Sequence, residues 1–187
     1  MTDADRERWN QRYREDSRRD EHRPFPLLKT YAQPGAGASL ALDLACGPGH
    51  NALWLAQRGY RVVAVDISRV ALHSGVQRAQ QLGVLGSVLF VEADLDDFAI
   101  PAGRFDLVCV FRFLERRLFP ALERALKPDG LLLYATLNWR WAEQHPEVSR
   151  RYLLEPGELG SAFGTLETVH HTEPDWMSFY AGRRPRA

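Results

Sequence analysis

Asp43, Gly47, Gly49, Asp66 and Asp94 are the residues whose types and spacing suit chemistry in this chain. The two glycines stand in Asp43-Leu-Ala-Cys-Gly-Pro-Gly49. There they let the backbone turn sharply and leave room for a ligand to approach the main chain. Asp66 follows Gly49 by 17 residues and ends the β-branched run Arg61-Val-Val-Ala-Val65. An acid in that place is the expected partner of a ribose diol, because one carboxylate accepts from both hydroxyls. The plainer alternative is that Asp66 caps the following helix. Asp94 is a candidate acceptor for an exocyclic adenine amine, with Leu95 against the ring; the alternative is a solvated acid in the turn Glu92–Asp97. Asp43 precedes Gly47 by four residues, where it can orient the loop or meet an ammonium.

The elements that must position these residues follow from patterning. Leu40, Ala41, Leu42, Leu44 and Ala45 form a near-continuous apolar run, as in a strand covered on both faces of a parallel sheet. Ala52, Leu53, Leu55 and Ala56 recur at helical spacing and predict a helix that stops at Gly59. Its N-terminus, with unpaired N–H groups and a positive dipole end, suits a carboxylate or phosphate. Arg61–Val65 is a second strand, and Ser68 can cap a helix that runs to about Leu82 and stops at Gly83. Ser87–Val91 and Phe105–Phe111 are a third and fourth strand. A helix over Arg117–Leu126, a turn at Lys127-Pro-Asp-Gly130 and a fifth strand over Leu131–Thr136 follow. Strands alternating with helices predict right-handed crossovers and a doubly wound α/β sheet. Leu166–His171 and Trp176–Gly182 are two more strands with no helix between them, so they pair as an antiparallel C-terminal hairpin. The expected fold is therefore a mostly parallel, seven-stranded, Rossmann-like sheet.

Before that sheet, residues 1–24 are dense in both charge signs, with a helix over Ala4–Asp16. Trp9 and Tyr13 are four apart and share a face, either docked on the body or as the aromatic side of a lid. Residues 1–38 are thus expected to form a helical cap, and 39–187 the catalytic sheet of one domain. Arg183–Arg186 is expected to be a solvated tail.

Composition narrows the function. Lys plus Arg and Asp plus Glu both number 24, and this balance lacks the basic surplus of a phosphate-backbone binder. Cys46 and Cys109 give no disulfide framework, which fits a reducing, cytoplasmic setting. No apolar stretch is long enough to span a bilayer. The histidines make no metal site: His170 and His171 are adjacent on a strand and face opposite sides. Oligomeric state is not readable from the sequence.

Gly47-x-Gly49-x-x-Ala52 also satisfies a dinucleotide-binding pattern, but Asp43 and the terminal hairpin favour a different ligand. The chain resembles the class I S-adenosylmethionine-dependent methyltransferases over nearly its full length. The resemblance rests on Leu42-Asp-Leu-Ala-Cys-Gly-Pro-Gly49, Val65-Asp-Ile-Ser68, Ala93-Asp-Leu95, Phe105-Asp-Leu-Val108 and Leu126-Lys-Pro-Asp-Gly-Leu-Leu-Leu133. Within that family it is similar to the tellurite-resistance and thiol methyltransferase branch, through Trp9…Arg12-Tyr13, Asn51–Ala56, Phe111-Arg-Phe-Leu114 and Leu154-Glu-Pro-Gly-Glu-Leu159. This resemblance implies S-adenosylmethionine as cofactor. Asp43, Ala45, Gly47, Gly49 and Asn51 would hold its methionine part, Asp66 and Ile67 the ribose, and Asp94 and Leu95 the adenine. Cys46 and Phe111 would line the sulfonium.

Methyl transfer from a sulfonium is an in-line displacement in which the protein aligns reactants and excludes water. A thiolate or chalcogen oxyanion needs no dedicated base, whereas a hydroxyl or amine does. Val110-Phe-Arg-Phe113 offers no base. Arg112 is a substrate-binding candidate, since its guanidinium suits an anionic acceptor; the alternative is an ion pair with Glu115 or with an acid of the N-terminal helix. The leading expectation is methyl transfer to a small molecule. The alternatives are a protein or RNA methyltransferase, a nucleotide-dependent oxidoreductase and a cofactor-binding protein without catalysis.

Overall fold

A computed structural model describes residues 3–15, 23–33 and 39–186. Among these residues, seven strands form one α/β sheet in the order β3-β2-β1-β4-β5-β7-β6, mostly parallel with an antiparallel C-terminal pair, as expected. The chain divides into two compact units, Met1–Ala99 and Ile100–Ala187.

In the first unit, α1 (Asp3–Glu15) and α2 (Pro26–Tyr31) precede β1 (Leu40–Leu44). Of the expected cap, residues 1–2, 16–22 and 34–38 lie outside the described residues. Everything in β1 after Leu40 is buried, which explains its unbroken apolar run. The helix α3 (His50–Ala56) follows, and Gly59 adopts φ +88° just beyond it. Strand β2 (Arg61–Asp66) pairs parallel with β1 from Leu40↔Arg61 to Leu44↔Val65, and with β3 (Val88–Glu92) from Val62↔Val88 to Asp66↔Glu92. This register brings the carboxyl ends of β1 and β2 level. Between β2 and β3 runs α4 (Arg69–Gln81), whose N-cap Ser68 accepts from the Ala71 N–H.

In the second unit, β4 (Phe105–Phe111) pairs parallel with β5 (Leu126–Leu137). A 3-10 turn at Arg116–Leu118 leads into α5 (Phe119–Ala125), so the helix expected over Arg117–Leu126 begins as a tighter turn. The short helices α6 (Trp141–Gln144) and α7 (Glu158–Ala162) precede β6 (Glu167–Thr172) and β7 (Met177–Arg183). Strand β7 pairs antiparallel with both β5 and β6. Phe119, Tyr134, Phe163 and Tyr180 pack as an aromatic core with centroids 5.1–6.0 Å apart.

Two expectations are refined here. Lys127-Pro-Asp-Gly130 falls within β5 but bulges out of its pairing with β4, whose register passes from Phe105↔Leu126 to Leu107↔Leu131 while Asp129 takes φ +67°. It is held by backbone bonds from Asp129 N–H to the Arg184 carbonyl and from Arg184 N–H to the Gly130 carbonyl. Arg183–Arg186 is a solvated tail only in part: Pro185 and Arg186 are exposed, but Arg183 and Arg184 are half-buried. Arg183 ends β7, and the Arg183 and Arg186 guanidinium groups both donate to Asp129. The hydrogen bond from Arg186 is the main cause that brings the exposed Asp129 carboxyl below its usual range.

Candidate active site

The loop after β1 is built on left-handed backbone. Ala45, Gly47 and Gly49 take φ of +52°, +54° and +76°. Glycine adopts that region freely, but Ala45 does so at a cost that surrounding bonds must meet. The Cys46 N–H donates to the Val65 carbonyl, and the Gly49 N–H to the Cys46 carbonyl. The Gly47 N–H donates to Asp66 Oδ2 at 2.7 Å, and Asp66 Oδ1 accepts from the Ser68 N–H at 2.8 Å. Asp66 therefore ties the loop of one strand to the helix start of the next. It is only 7% exposed. Burial pushes its carboxyl above the usual range, while the hydrogen bonds from Ser68, Gly47 and Ile67 oppose that rise. A carboxylate has about four acceptor positions, so these three N–H groups leave about one open.

Asp43 is 1% exposed, and its Oδ2 accepts from the Ala52 N–H at 3.1 Å. The expectation of an anion at the start of α3 is thus met by the protein's own carboxylate, which orients the loop and helix together. Asn51 Oδ1 accepts from the Phe25 N–H at 2.8 Å and fixes the chain before α2. The Cys46 thiol is buried and donates to the Gly47 carbonyl. Ile67 is buried behind Asp66. Asp94 Oδ1 accepts from the Asp96 N–H at 2.9 Å, shaping the turn after β3. Leu95 is fully buried, so its side chain supports that turn from inside.

The space over Gly47 is filled from α1. A Cβ on Gly47 would stand 2.6 Å from the Tyr13 hydroxyl. Trp9 and Tyr13 lie on one side of the helix with ring centroids 6.0 Å apart. Sequence reasoning missed two supports of the loop. Gly75 of α4 lets the helix approach: a Cβ there would meet Pro48 O at 2.8 Å and Phe90 Cε1 at 2.7 Å. Asn10 is buried on α1, and its Oδ1 accepts from the Ser68 hydroxyl at 2.9 Å and the Val70 N–H at 3.3 Å. Its spacing of three from Tyr13 was the available signal.

In the second unit, Phe111 is buried at the carboxyl end of β4 and Arg112 is exposed beyond it. Arg112 adopts φ +58°, a strained conformation for a non-glycine residue, and its N–H donates to the Ala135 carbonyl at 2.8 Å. The expected ion pair with Glu115 does not form: Glu115 turns to the Arg117 guanidinium at 3.0 Å. The segment beyond is clamped. The Tyr134 hydroxyl donates to the Phe113 carbonyl at 2.8 Å. Arg116 grips Glu158 bidentately at 2.6 and 2.9 Å and also donates to the Arg151 and Leu153 carbonyls. Burial works against the Glu158 carboxylate, but the Arg116 and Glu155 hydrogen bonds bring it below its usual range. Among the described residues no group of His, Cys, Asp and Glu is arranged to hold a metal, and no helix is long and apolar enough to cross a membrane.

Residues 41–130 match the methyltransferase-domain family. The chain is 30% identical over 116 residues to a putative methyltransferase, YqeM, of Bacillus subtilis, covering 57% of this chain and 46% of that protein. It is 31% identical over 121 residues to the ubiquinone/menaquinone biosynthesis C-methyltransferase UbiE of Blochmanniella pennsylvanica, covering 60% and 47%. The chain spans about half the length of the curated relatives it matches. Among solved structures, a S-adenosylmethionine-dependent methyltransferase of Methanosarcina mazei shares the fold with a TM-score of 0.69 at 17% identity, covering 89% of this chain and all of that one. A protein solved in work on conversion of a disulfide bond into a thioacetal group during echinomycin biosynthesis shares it with a TM-score of 0.73 at 22% identity, covering 96% and 92%. Residues 41–130 are thus similar in sequence to a methyltransferase domain, and the solved structures share the fold of this chain.

Proposed function

We propose that the protein transfers the sulfonium methyl group of S-adenosylmethionine to a small-molecule acceptor by in-line displacement. The observation that carries this reading is Asp66: a buried carboxylate at the end of β2, bonded to the Gly47 N–H of a left-handed loop at 2.7 Å. The residues present fit the cofactor's parts. Asp66 and Ile67 hold the ribose, and the turn of Asp94 and Leu95 receives the adenine. The loop of Ala45, Cys46, Gly47 and Gly49, oriented by Asp43, receives the methionine end. When bound, the cofactor supplies the activated methyl group; the chain binds, orients and excludes water.

The acceptor in this reading is a soft nucleophile, a thiol or chalcogen oxyanion, as in the tellurite-resistance and thiol branch. Phe111, Arg112 and Phe113 supply no base to deprotonate a hydroxyl or amine. Arg112 binds an anionic acceptor, a role supported by its exposed guanidinium and strained backbone. Trp9 and Tyr13 form the inner face of a cap over the glycine loop. The two buried free thiols fit a reducing, cytoplasmic setting.

A tritiated-methyl transfer screen across thiols, selenite, tellurite and small aromatic acids tests the reading. Transfer to a thiol or chalcogen oxyanion is expected, and Arg112→Ala should lower turnover by about tenfold or more while sparing S-adenosylhomocysteine binding. Transfer to protein or RNA alone would overturn the small-molecule assignment, and unchanged turnover in Arg112→Ala would remove its role.

A further inference from the structure

The helix α1 is held on its unit through polar contacts. Its thirteen residues, Asp-Ala-Asp-Arg-Glu-Arg-Trp-Asn-Gln-Arg-Tyr-Arg-Glu, contain no apolar stripe. Three of its ion pairs, Arg6–Asp3, Arg8–Asp5 and Arg14–Glu7, run between residues of the helix itself. Exposed pairs within a helix stabilise it weakly. The one residue of α1 that is buried is Asn10.

The bonds of Asn10 form part of a continuous chain. Its Oδ1 accepts from the Ser68 hydroxyl and the Val70 N–H, at the start of α4. Ser68 is itself fully buried, and its N–H donates to Asp66 Oδ1. Asp66 Oδ2 accepts from the Gly47 N–H, and Gly47 lies beneath the Tyr13 hydroxyl. Asn10 and Tyr13 are three residues apart, so they share one face of α1. A polar contact with two defined donors specifies both the rotation and the height of a helix, which an apolar contact leaves loose. The amide of Asn10 thereby decides whether Tyr13 reaches Gly47, and it shares Ser68 with the carboxylate assigned to the ribose.

We propose that Asn10 is a positioning residue for cofactor binding: it docks α1 on the start of α4, so that Tyr13 closes over the glycine loop and Ser68 holds Asp66 in its binding orientation. The proposal rests on the cofactor reading above. Binding of the cofactor and docking of α1 are then coupled, each favouring the other.

The test uses the whole chain and S-adenosylhomocysteine as probe. In Asn10→Ala the Ser68 hydroxyl and Val70 N–H lose their acceptor, and the dissociation constant should rise roughly tenfold. Asn10→Asp keeps an acceptor oxygen in place and should stay within about twofold of the wild type. Amide hydrogen exchange of α1 in the wild type should slow when the probe binds, and this slowing should be absent in Asn10→Ala. Wild-type affinity in Asn10→Ala, an equal loss in Asn10→Asp, or no slowing of α1 exchange in the wild type would each overturn the proposal. The exchange measurement needs no variant, so it decides the matter even if Asn10→Ala does not fold. A wild-type protein that binds no S-adenosylhomocysteine removes the cofactor reading itself, and this proposal with it.

Discussion

The glycine loop of the first unit and the corner after β4 in the second are both strained, but they are held in opposite ways. Around the loop, buried carboxylates face backbone N–H groups: Asp66 on Gly47 and Ser68, Asp43 on Ala52. Around the corner, a guanidinium grips carbonyls and a carboxylate: Arg116 on Arg151, Leu153 and Glu158. The first arrangement commits buried carboxylates to backbone donors of the loop and the following helices. The second uses Arg116 for support and leaves Arg112 exposed. One region is organised around bound donors, the other leaves an exposed cation beside its clamp.

The largest effect should come from breaking the loop itself. Gly47→Val places a branched side chain at φ +54° and against the Tyr13 hydroxyl. The left-handed conformation alone costs about 1–2 kcal/mol for such a residue. We expect S-adenosylhomocysteine affinity to fall by about a hundredfold or more, measured by calorimetry.

Asp66 sharpens the comparison through pH. Burial raises its carboxyl in the folded state, so the folded protein holds this proton at pH values where the unfolded chain has lost it. Raising the pH through that window therefore costs folding stability in the ligand-free protein. Cofactor binding follows the opposite trend, because only the ionised carboxylate offers all its acceptor positions. Affinity should thus weaken on acidification before an ordinary aspartate would titrate, while the contribution of this group to ligand-free stability rises. Thermal melts and titrations across the same pH range check both trends.

On the other side, Arg116→Ala removes support without touching the exposed cation. It should destabilise by about 2 kcal/mol, seen as a lower Tm. The smallest effect on stability is expected at Arg112. Arg112→Gly relieves a φ of +58°, which offsets the extra freedom glycine gives the unfolded chain. Its Tm should be unchanged or slightly higher while turnover falls, the pattern of a residue kept for function rather than for the fold. A clear drop in Tm would make Arg112 structural.

What was legible in the sequence follows from the range of each interaction. The fourth strand was predicted over the same residues that form β4, and Ser68 was predicted to cap α4, because apolar runs and capping residues act locally. The loop was legible because glycine marks left-handed backbone directly. The Arg116–Glu158 clasp was not, since its partners are 42 residues apart and each reads alone as a surface charge. Asn10 and Ser68 are 58 apart, and an asparagine in a charged helix looks solvated until its partner is known. The place of Lys127–Gly130 within β5 depended on Arg184, which composition had assigned to a tail. The bond of Asn51 to the Phe25 N–H was hidden for the same reason, since 26 residues separate the two.

Calorimetric titration of the wild type and of Asp66→Asn with S-adenosylhomocysteine and with NAD, in one buffer, tests the central claim most directly. The account predicts saturable one-site binding of S-adenosylhomocysteine by the wild type, none of NAD, and a loss of about 2 kcal/mol, roughly thirtyfold, in Asp66→Asn. Preference for NAD, or equal affinity of the two proteins for S-adenosylhomocysteine, would contradict it.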